Sequence, residues 1–381
     1  MPPSDSPSSV KILQRLTEFP TYEESGMKPC AEFLSGELDR LGFRATVDRL
    51  NNVYAEKTYD HGEGTFLVNS HFDTVPPNPR WVKEPLHASL EGDRLYGLGT
   101  SDDKASVASM LYVLGKIEDC RFRKLELLFS NYEDNSTVLD GETWLGTPYF
   151  LSHNHLESTF GINVEGTVDN GMFMVSLGCG GRVGFKVTTL GKEAHSSDPR
   201  QGRNAIYDMM KVIEALRKLP PARMILDDYE AYTELNVSMI KGGVAINIVP
   251  GDCEITCERR VLPNEDWDTV KAQVDKALSE SELRDIKFKV EYNKPQRSYL
   301  IDRKHPAVTL AKESVAKAVR YTPRFKVESG RTDSIYFDQM AGIKTVILGP
   351  GETAHIADEY VNVRRLEEFD RILYHILSTG T

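Results

Sequence analysis

Short apolar runs alternate with helix-length periodic stretches at both ends of this 381-residue chain, and the alternation stops in the middle. Arg44–Arg49, Asn52–Lys57, Thr65–Asn69, Leu125–Tyr132, Phe160–Val164 and Lys344–Leu348 read as strands. Between and around them lie helical patterns. Residues 10–43 are periodic with a break at Pro20, and the stretch after Asp102 lines up Val107, Met110, Leu111 and Leu114. Pro306–Val319 and Leu366–Leu377 repeat that texture near the end. Strands alternating with helices predict an α/β fold with a mixed, mostly parallel sheet flanked by helices.

The middle reads differently. Arg182–Leu190 alternates Val183, Phe185 and Val187 with Gly184, Lys186 and Thr188, as a half-exposed antiparallel strand does. Leu235–Ile240, Ala245–Val249, Cys253–Val261 and Phe288–Tyr292 are further expected strands. Asn204–Leu219 and Asp266–Ser281 are expected helices. These describe an α+β insert spanning residues 181–293, roughly 110 residues and a plausible domain size. Residues 1–180 and 294–381 then form one domain made from both chain ends.

Lys and Arg number 46 against 57 Asp and Glu, a formal charge of −11, and no basic block stands out. That argues against nucleic acid or an anionic membrane as partner. No apolar run approaches the ~20 residues of a membrane helix. The first nine residues, rich in Pro and Ser, lack the basic start and apolar stretch of a signal peptide, so a frayed tail and a cytoplasmic protein are expected. The five cysteines are scattered and odd in number, which fits buried thiols in a reducing compartment.

Five stretches carry the chemistry, each at or beyond the end of an expected strand, where open parallel sheets gather ligand sites. The first is Asn69-Ser-His71-Phe-Asp73, an imidazole with a carboxylate two residues on. The second is Tyr96-Gly-Leu-Gly-Thr-Ser-Asp102-Asp103-Lys104. Its glycines suggest a dinucleotide loop, but the third glycine position holds Asp102, whose charge would repel a pyrophosphate. Ser101 and Lys104 also fit S-x-x-K, a pattern that means little without its companion motifs. The third is Glu133-Asp134, the fourth Glu165, and the fifth Gly349-Pro-Gly…His355-Ile-Ala-Asp358-Glu359. Taken singly, each acid is more often a helix cap or a solvated side chain. Together, His71, Asp102, Asp134, Glu165 and His355 offer two imidazoles and three carboxylates. These are the donors that divalent zinc, cobalt or manganese prefer. Five donors exceed the needs of one catalytic zinc, so a two-metal site with a shared carboxylate is expected, leaving Glu133 as general base.

These stretches resemble the co-catalytic metallopeptidase and deacylase family of acetylornithine deacetylase, succinyl-diaminopimelate desuccinylase, aminoacylase and glutamate carboxypeptidase. The likeness runs in order along nearly the whole chain, through His71-Phe-Asp73-Thr-Val-Pro, Leu95–Lys104, Glu133-Asp134, Glu165, Gly191-Lys-Glu-Ala-His195-Ser-Ser, Asn247-Ile-Val-Pro, Arg260 and Gly349…Tyr360. It is nearest to acetylornithine deacetylase. The resemblance implies that Asp102 bridges two metal ions. His71 and Glu165 would complete one site, Asp134 and His355 the other, with Asp73 orienting His71. It implies that the insert is a lid and homodimerisation domain. His195 would then reach the partner subunit's site to stabilise an oxyanion, while Asn247 and Arg260 hold substrate oxygens. The implied activity is hydrolysis of the amide of an N-acyl amino acid. A dipeptidase or carboxypeptidase, or a binding protein on a decayed scaffold, is the alternative.

Three departures stand out. The usual second Glu is Asp134, one methylene shorter; a usual glycine is Ala105; and Asn135–Thr143 reads as an insertion beside the base.

Overall fold

The computed structural model of the protein describes residues 8–379. The polar start therefore lies outside the described residues as far as Pro7, while Ser8 caps the first helix by accepting from the Lys11 N–H. The chain divides into two units. One holds the chain up to Leu177 with Ile301–Phe325 and everything from Thr332; the other holds Gly178–Leu300 with Lys326–Arg331.

The first unit is built on a mixed sheet. Its centre is four mutually parallel strands in the spatial order Lys124–Ser130, Thr65–His71, Phe160–Asn163, Lys344–Ile347. These strands are buried on both faces and each carries a short apolar stretch, which is why their positions are visible in the sequence. Val53–Thr58 extends the sheet antiparallel beside Lys124–Ser130, and Arg44–Val47 forms the edge. The helix Lys104–Leu114 packs with Ser9–Thr17 and Val363–Leu377, and the latter also packs on Pro306–Val319. From Thr65–His71 the chain builds outward to Lys124–Ser130 on one side and to Phe160–Asn163 on the other. The crevice beyond that reversal is where open sheets of this kind bind ligands.

A smaller sheet matters more for the site than its size suggests. Tyr360–Asn362 pairs antiparallel with Arg94–Tyr96, which pairs with Ser89–Glu91. Tyr360 lies opposite Tyr96. That register draws the loop before Tyr360 alongside the loop after Tyr96, although more than 250 residues separate them in sequence.

The second unit is a four-stranded antiparallel sheet in the order Leu235–Gly242, Asp252–Val261, Gly181–Leu190, Lys287–Tyr292. The helices Ala205–Arg217 and Trp267–Leu278 cover one face, sealing Val183, Phe185, Val187, Ile255, Met209, Val212, Val270 and Val274. Cys253 and Cys257 are buried in that layer, and all five thiols are free and buried. The expected strand at Ala245–Val249 is instead a turn segment with one bridge, Ile248 to His195. Its residues Ala245 and Ile246 are exposed, so the pattern there reports a surface and not a ladder.

Candidate metal centre

The four central strands deliver chemistry at their carboxyl ends. Thr65–His71 closes on His71, and Lys124–Ser130 runs into Glu133 and Asp134. Phe160–Asn163 leads to Glu165, and Lys344–Ile347 to the Gly349-Pro-Gly351 turn and His355. The turn needs its glycines because backbone approaches too closely for a side chain. A Cβ at Gly349 would stand 2.4 Å from the Glu165 carbonyl oxygen, and one at Gly351 2.1 Å from that of Ser101.

Asp102 sits at the centre. One of its carboxylate oxygens is 3.1 Å from His71 Nε2 and the other 3.4 Å from His355 Nε2. His355 Nε2 is also 3.1 Å from Asp134 Oδ1. Ligand atoms of His71, Asp102 and Asp134 all lie within 4.8 Å of one another. Two donors held 2.0–2.1 Å from a tetrahedral zinc ion stand roughly 3.3 Å apart, so these spacings suit donors converging on cations. Asp134 Oδ2 is buried with no hydrogen-bond partner among the described residues, a costly state that a cation would relieve. The donor set therefore fits divalent metal ions. Although Asp134 is one methylene shorter than the usual Glu, it reaches His355.

The charges are mutually dependent. Burial pulls the His71 imidazolium down, but hydrogen bonds to Asp102 and Asp73 outweigh it and hold the group well above its ordinary range. Asp134 is raised by burial and by the Asp102 charge. Glu165 is raised by burial and by Glu133. The hydrogen bond to Asp134 lifts His355 to about 9. Clustered carboxylates beside imidazoles are the pattern expected where positive charge is to be received.

Asp73 does more than face His71. Its Oδ1 is 3.4 Å from His71 Nδ1, whose nearer neighbour is the Asp73 carbonyl oxygen at 3.2 Å. The same carboxylate accepts the backbone N–H groups of Glu133 (3.0 Å) and Asp134 (3.1 Å) and the Asn135 side-chain amide (3.3 Å). It thus fixes three consecutive residues against the His71 strand. Tyr132, just before Glu133, has φ +61°, and His355 has φ +58°. Left-handed backbone at non-glycine residues is sparsely populated and concentrates at functional sites.

Several contributors escaped the sequence reading. Asp103 is buried, accepts from the Ser70 and Ser106 hydroxyls, and is held well above the usual carboxylate range by burial. Lys104 is buried, donates to the Phe19 carbonyl (2.8 Å), and is pushed down to about 8 by burial. Glu359 accepts three backbone N–H groups of the Asp102 loop. Buried charges whose partners lie far away in sequence leave no periodic trace. The expected insertion is a hairpin, Thr137–Leu139 with Glu142–Trp144, tied down by Arg49–Asp140 and by Leu139 and Trp144 packing with Met27, Leu50, Tyr132 and Tyr149.

The other three expected residues lie in the second unit. His195 and Asn247 are exposed neighbours, joined by a Ser196 N–H to Asn247 carbonyl bond (3.0 Å) and a Val249 N–H to Ala194 carbonyl bond (2.8 Å). Arg259 points into the covered face, only 1% exposed, and pairs with Glu265. Arg260 takes the open face, where it pairs with Glu258 (3.0 Å) and stands opposite Arg182.

The profile described as peptidase family M20/M25/M40 matches residues 67–379. A succinyl-diaminopimelate desuccinylase from Wolinella succinogenes is 26% identical over 97% of this chain and 99% of its own. An acetylornithine deacetylase from Pasteurella multocida is 29% identical over 68% and 69%. Among solved structures, an M20 family metallo-carboxypeptidase from Sulfolobus solfataricus superposes with a TM-score of 0.80 at 18% identity, covering 97% of this chain and 98% of that one. A di-peptidase from Saccharomyces cerevisiae gives 0.75 at 16%, covering 97% and 94%.

Proposed function

The chain is a metallohydrolase belonging to the peptidase family M20/M25/M40, and from that premise we propose that it cleaves the amide bond of N-acyl amino acids, as an acetylornithine-deacetylase-like deacylase. The observation that carries the reading is Asp102, whose two oxygens face two different imidazoles. The similarity to a desuccinylase and a deacetylase supports the acyl class.

In this reading His71, Asp102 and Glu165 would hold one ion, and Asp102, Asp134 and His355 would hold the other, zinc being the natural occupant and cobalt or manganese alternatives. When bound, the pair acidifies water and polarises the scissile carbonyl. The chain's own residues do the rest. Glu133 takes the proton of the attacking water and returns it to the leaving amine, so one carboxylate serves as base and then acid. Its backbone is anchored on Asp73, which keeps that carboxylate in place through both transfers. His195 donates to the oxyanion of the tetrahedral intermediate. Arg260 pairs with the substrate α-carboxylate through its guanidinium fork, and Asn247 donates to a further substrate oxygen.

We place His195 in the partner's site and the protein as a homodimer joined through the second unit. The support is the edge strand Leu235–Gly242, which exposes Met239 and Ile240, and the neighbouring helix Ala205–Arg217, which exposes Tyr207 and Met210. No helix among the described residues is long and apolar enough to cross a membrane. The substrate class is tested by amine release from matched N-acetyl, N-succinyl and dipeptide substrates. An acyl substrate should be turned over fastest; preferential turnover of dipeptides would replace the deacylase reading with a peptidase.

A further inference from the structure

Glu359 is 3% exposed and takes no part in the roles assigned above. Its Oε1 accepts the backbone N–H of Ser101 (2.7 Å) and of Asp102 (2.8 Å), and its Oε2 that of Gly99 (3.2 Å). The Glu359 carbonyl oxygen accepts a fourth N–H from the same loop, that of Gly97 (3.0 Å). The clamp is reciprocal. Ser101 Oγ accepts the N–H groups of Glu352 (2.9 Å) and Thr353 (3.0 Å), in the segment that ends in His355. Two loops that bring Asp102 and His355 together are therefore bolted by side chains from each onto the backbone of the other.

The Asp102 N–H itself is held by Glu359 at 2.8 Å. A carboxylate accepting N–H groups on both oxygens is a strong, directional anchor, and in a buried setting each bond is costly to lose. The Asp102 carboxylate has to present its two oxygens to two imidazoles at once, so a rotation of its backbone would lengthen both contacts.

We propose that Glu359 is a positioning residue that sets the backbone of the Asp102 loop, so that one carboxylate can bridge two cations. The inference rests on the two-metal reading. It goes beyond that reading by giving a role to a residue that touches neither substrate nor metal. Groups that orient metal ligands in this way typically contribute about 10- to 100-fold to metal affinity.

The test compares the metal-free full chain with Glu359→Ala and Glu359→Gln, titrated with cobalt alone. Visible absorption and stoichiometry are the readouts, and thermal unfolding of the same samples is measured alongside. Gln keeps an oxygen acceptor for Ser101 and Asp102 but turns its amide toward the Gly99 N–H. Binding should therefore weaken about 10-fold in E359Q and about 100-fold in E359A, with an altered cobalt spectrum in both. The graded rescue by Gln marks positioning and not bulk stability. If E359A does not fold, E359Q carries the test alone. Wild-type affinity and an unchanged spectrum in a folded variant would overturn the role of Glu359 and leave the two-metal reading standing. A wild-type chain that binds no cobalt would overturn both.

Discussion

The two units hold most of their candidate functional residues in opposite ways, although His355 in the first is half-exposed and Arg259 in the second is buried. In the first, His71, Asp73, Asp103 and Glu133 are buried, and the groups around them are anchored by backbone N–H donors and hydroxyls. In the second, His195 and Asn247 are exposed, and Arg260 lies on an open sheet face beside Glu258. The first arrangement is costly to build and rigid once built, which suits a centre where charge must already be in place when the reaction starts. The second costs little and stays adaptable, which suits residues that engage substrate or a second subunit. Within the first unit's cluster, burial lifts Asp134 and Glu165, and the charges of Asp102 and Glu133 add to it.

The largest effect that can break this contrast comes from the base. Glu133→Gln should retain metal, measured by elemental analysis, while turnover falls by about 10²–10⁴. Near-normal turnover would remove Glu133 from the chemistry. His195→Ala should lower kcat by about 10²–10³ if the residue supplies an oxyanion donor. Mixing it with a Glu133→Gln chain should restore part of the activity in mixed dimers, as only residues acting across subunits allow. Arg260→Ala should act mainly on KM, by about 10- to 100-fold, the worth of a charged hydrogen-bonded pair. A kcat effect of that size with KM unchanged would place the arginine elsewhere in the cycle.

The smallest effect is one of stability. Asp370 is buried, accepts the Ser9 hydroxyl at 2.6 Å and that of Ser109, and is pushed up to about 6 by burial. An acid raised on folding binds more protons folded than unfolded between its two pKa values. Stability should therefore fall as pH rises from about 4 to about 6, by roughly 2–3 kcal/mol from this group. Denaturant unfolding across that window should show the slope in the parent and a flatter one in Asp370→Asn. Equal slopes would mean that the burial of this carboxylate does not govern its titration.

Much of the first unit was readable in advance because its strands are buried on both faces and end in residues whose types are costly there without a cation. His71, Asp102, Asp134 and His355 were all singled out from that logic, and the fold brings them together. Glu359 was not, although it lies within the same motif. Its function depends on a strand register, Tyr360 opposite Tyr96, that no local pattern encodes. Asp103 was weighed only as a cap. The hydroxyls it serves, Ser70 and Ser106, come from a strand and from the next helical turn. In the second unit, alternation located the Gly181–Leu190 and Asp252–Val261 strands well. It misread Ala245–Val249 because exposed apolar residues mimic a strand when their burial is unknown.

The most direct test of the central claim is to strip the protein of metal and follow hydrolysis of an N-acetyl amino acid as zinc or cobalt is returned. The account predicts no turnover in the metal-free chain and recovery that tracks occupancy of the Asp102 cluster, with Asp102→Asn failing to recover at any metal concentration. Full turnover without metal, or full recovery in Asp102→Asn, would contradict it.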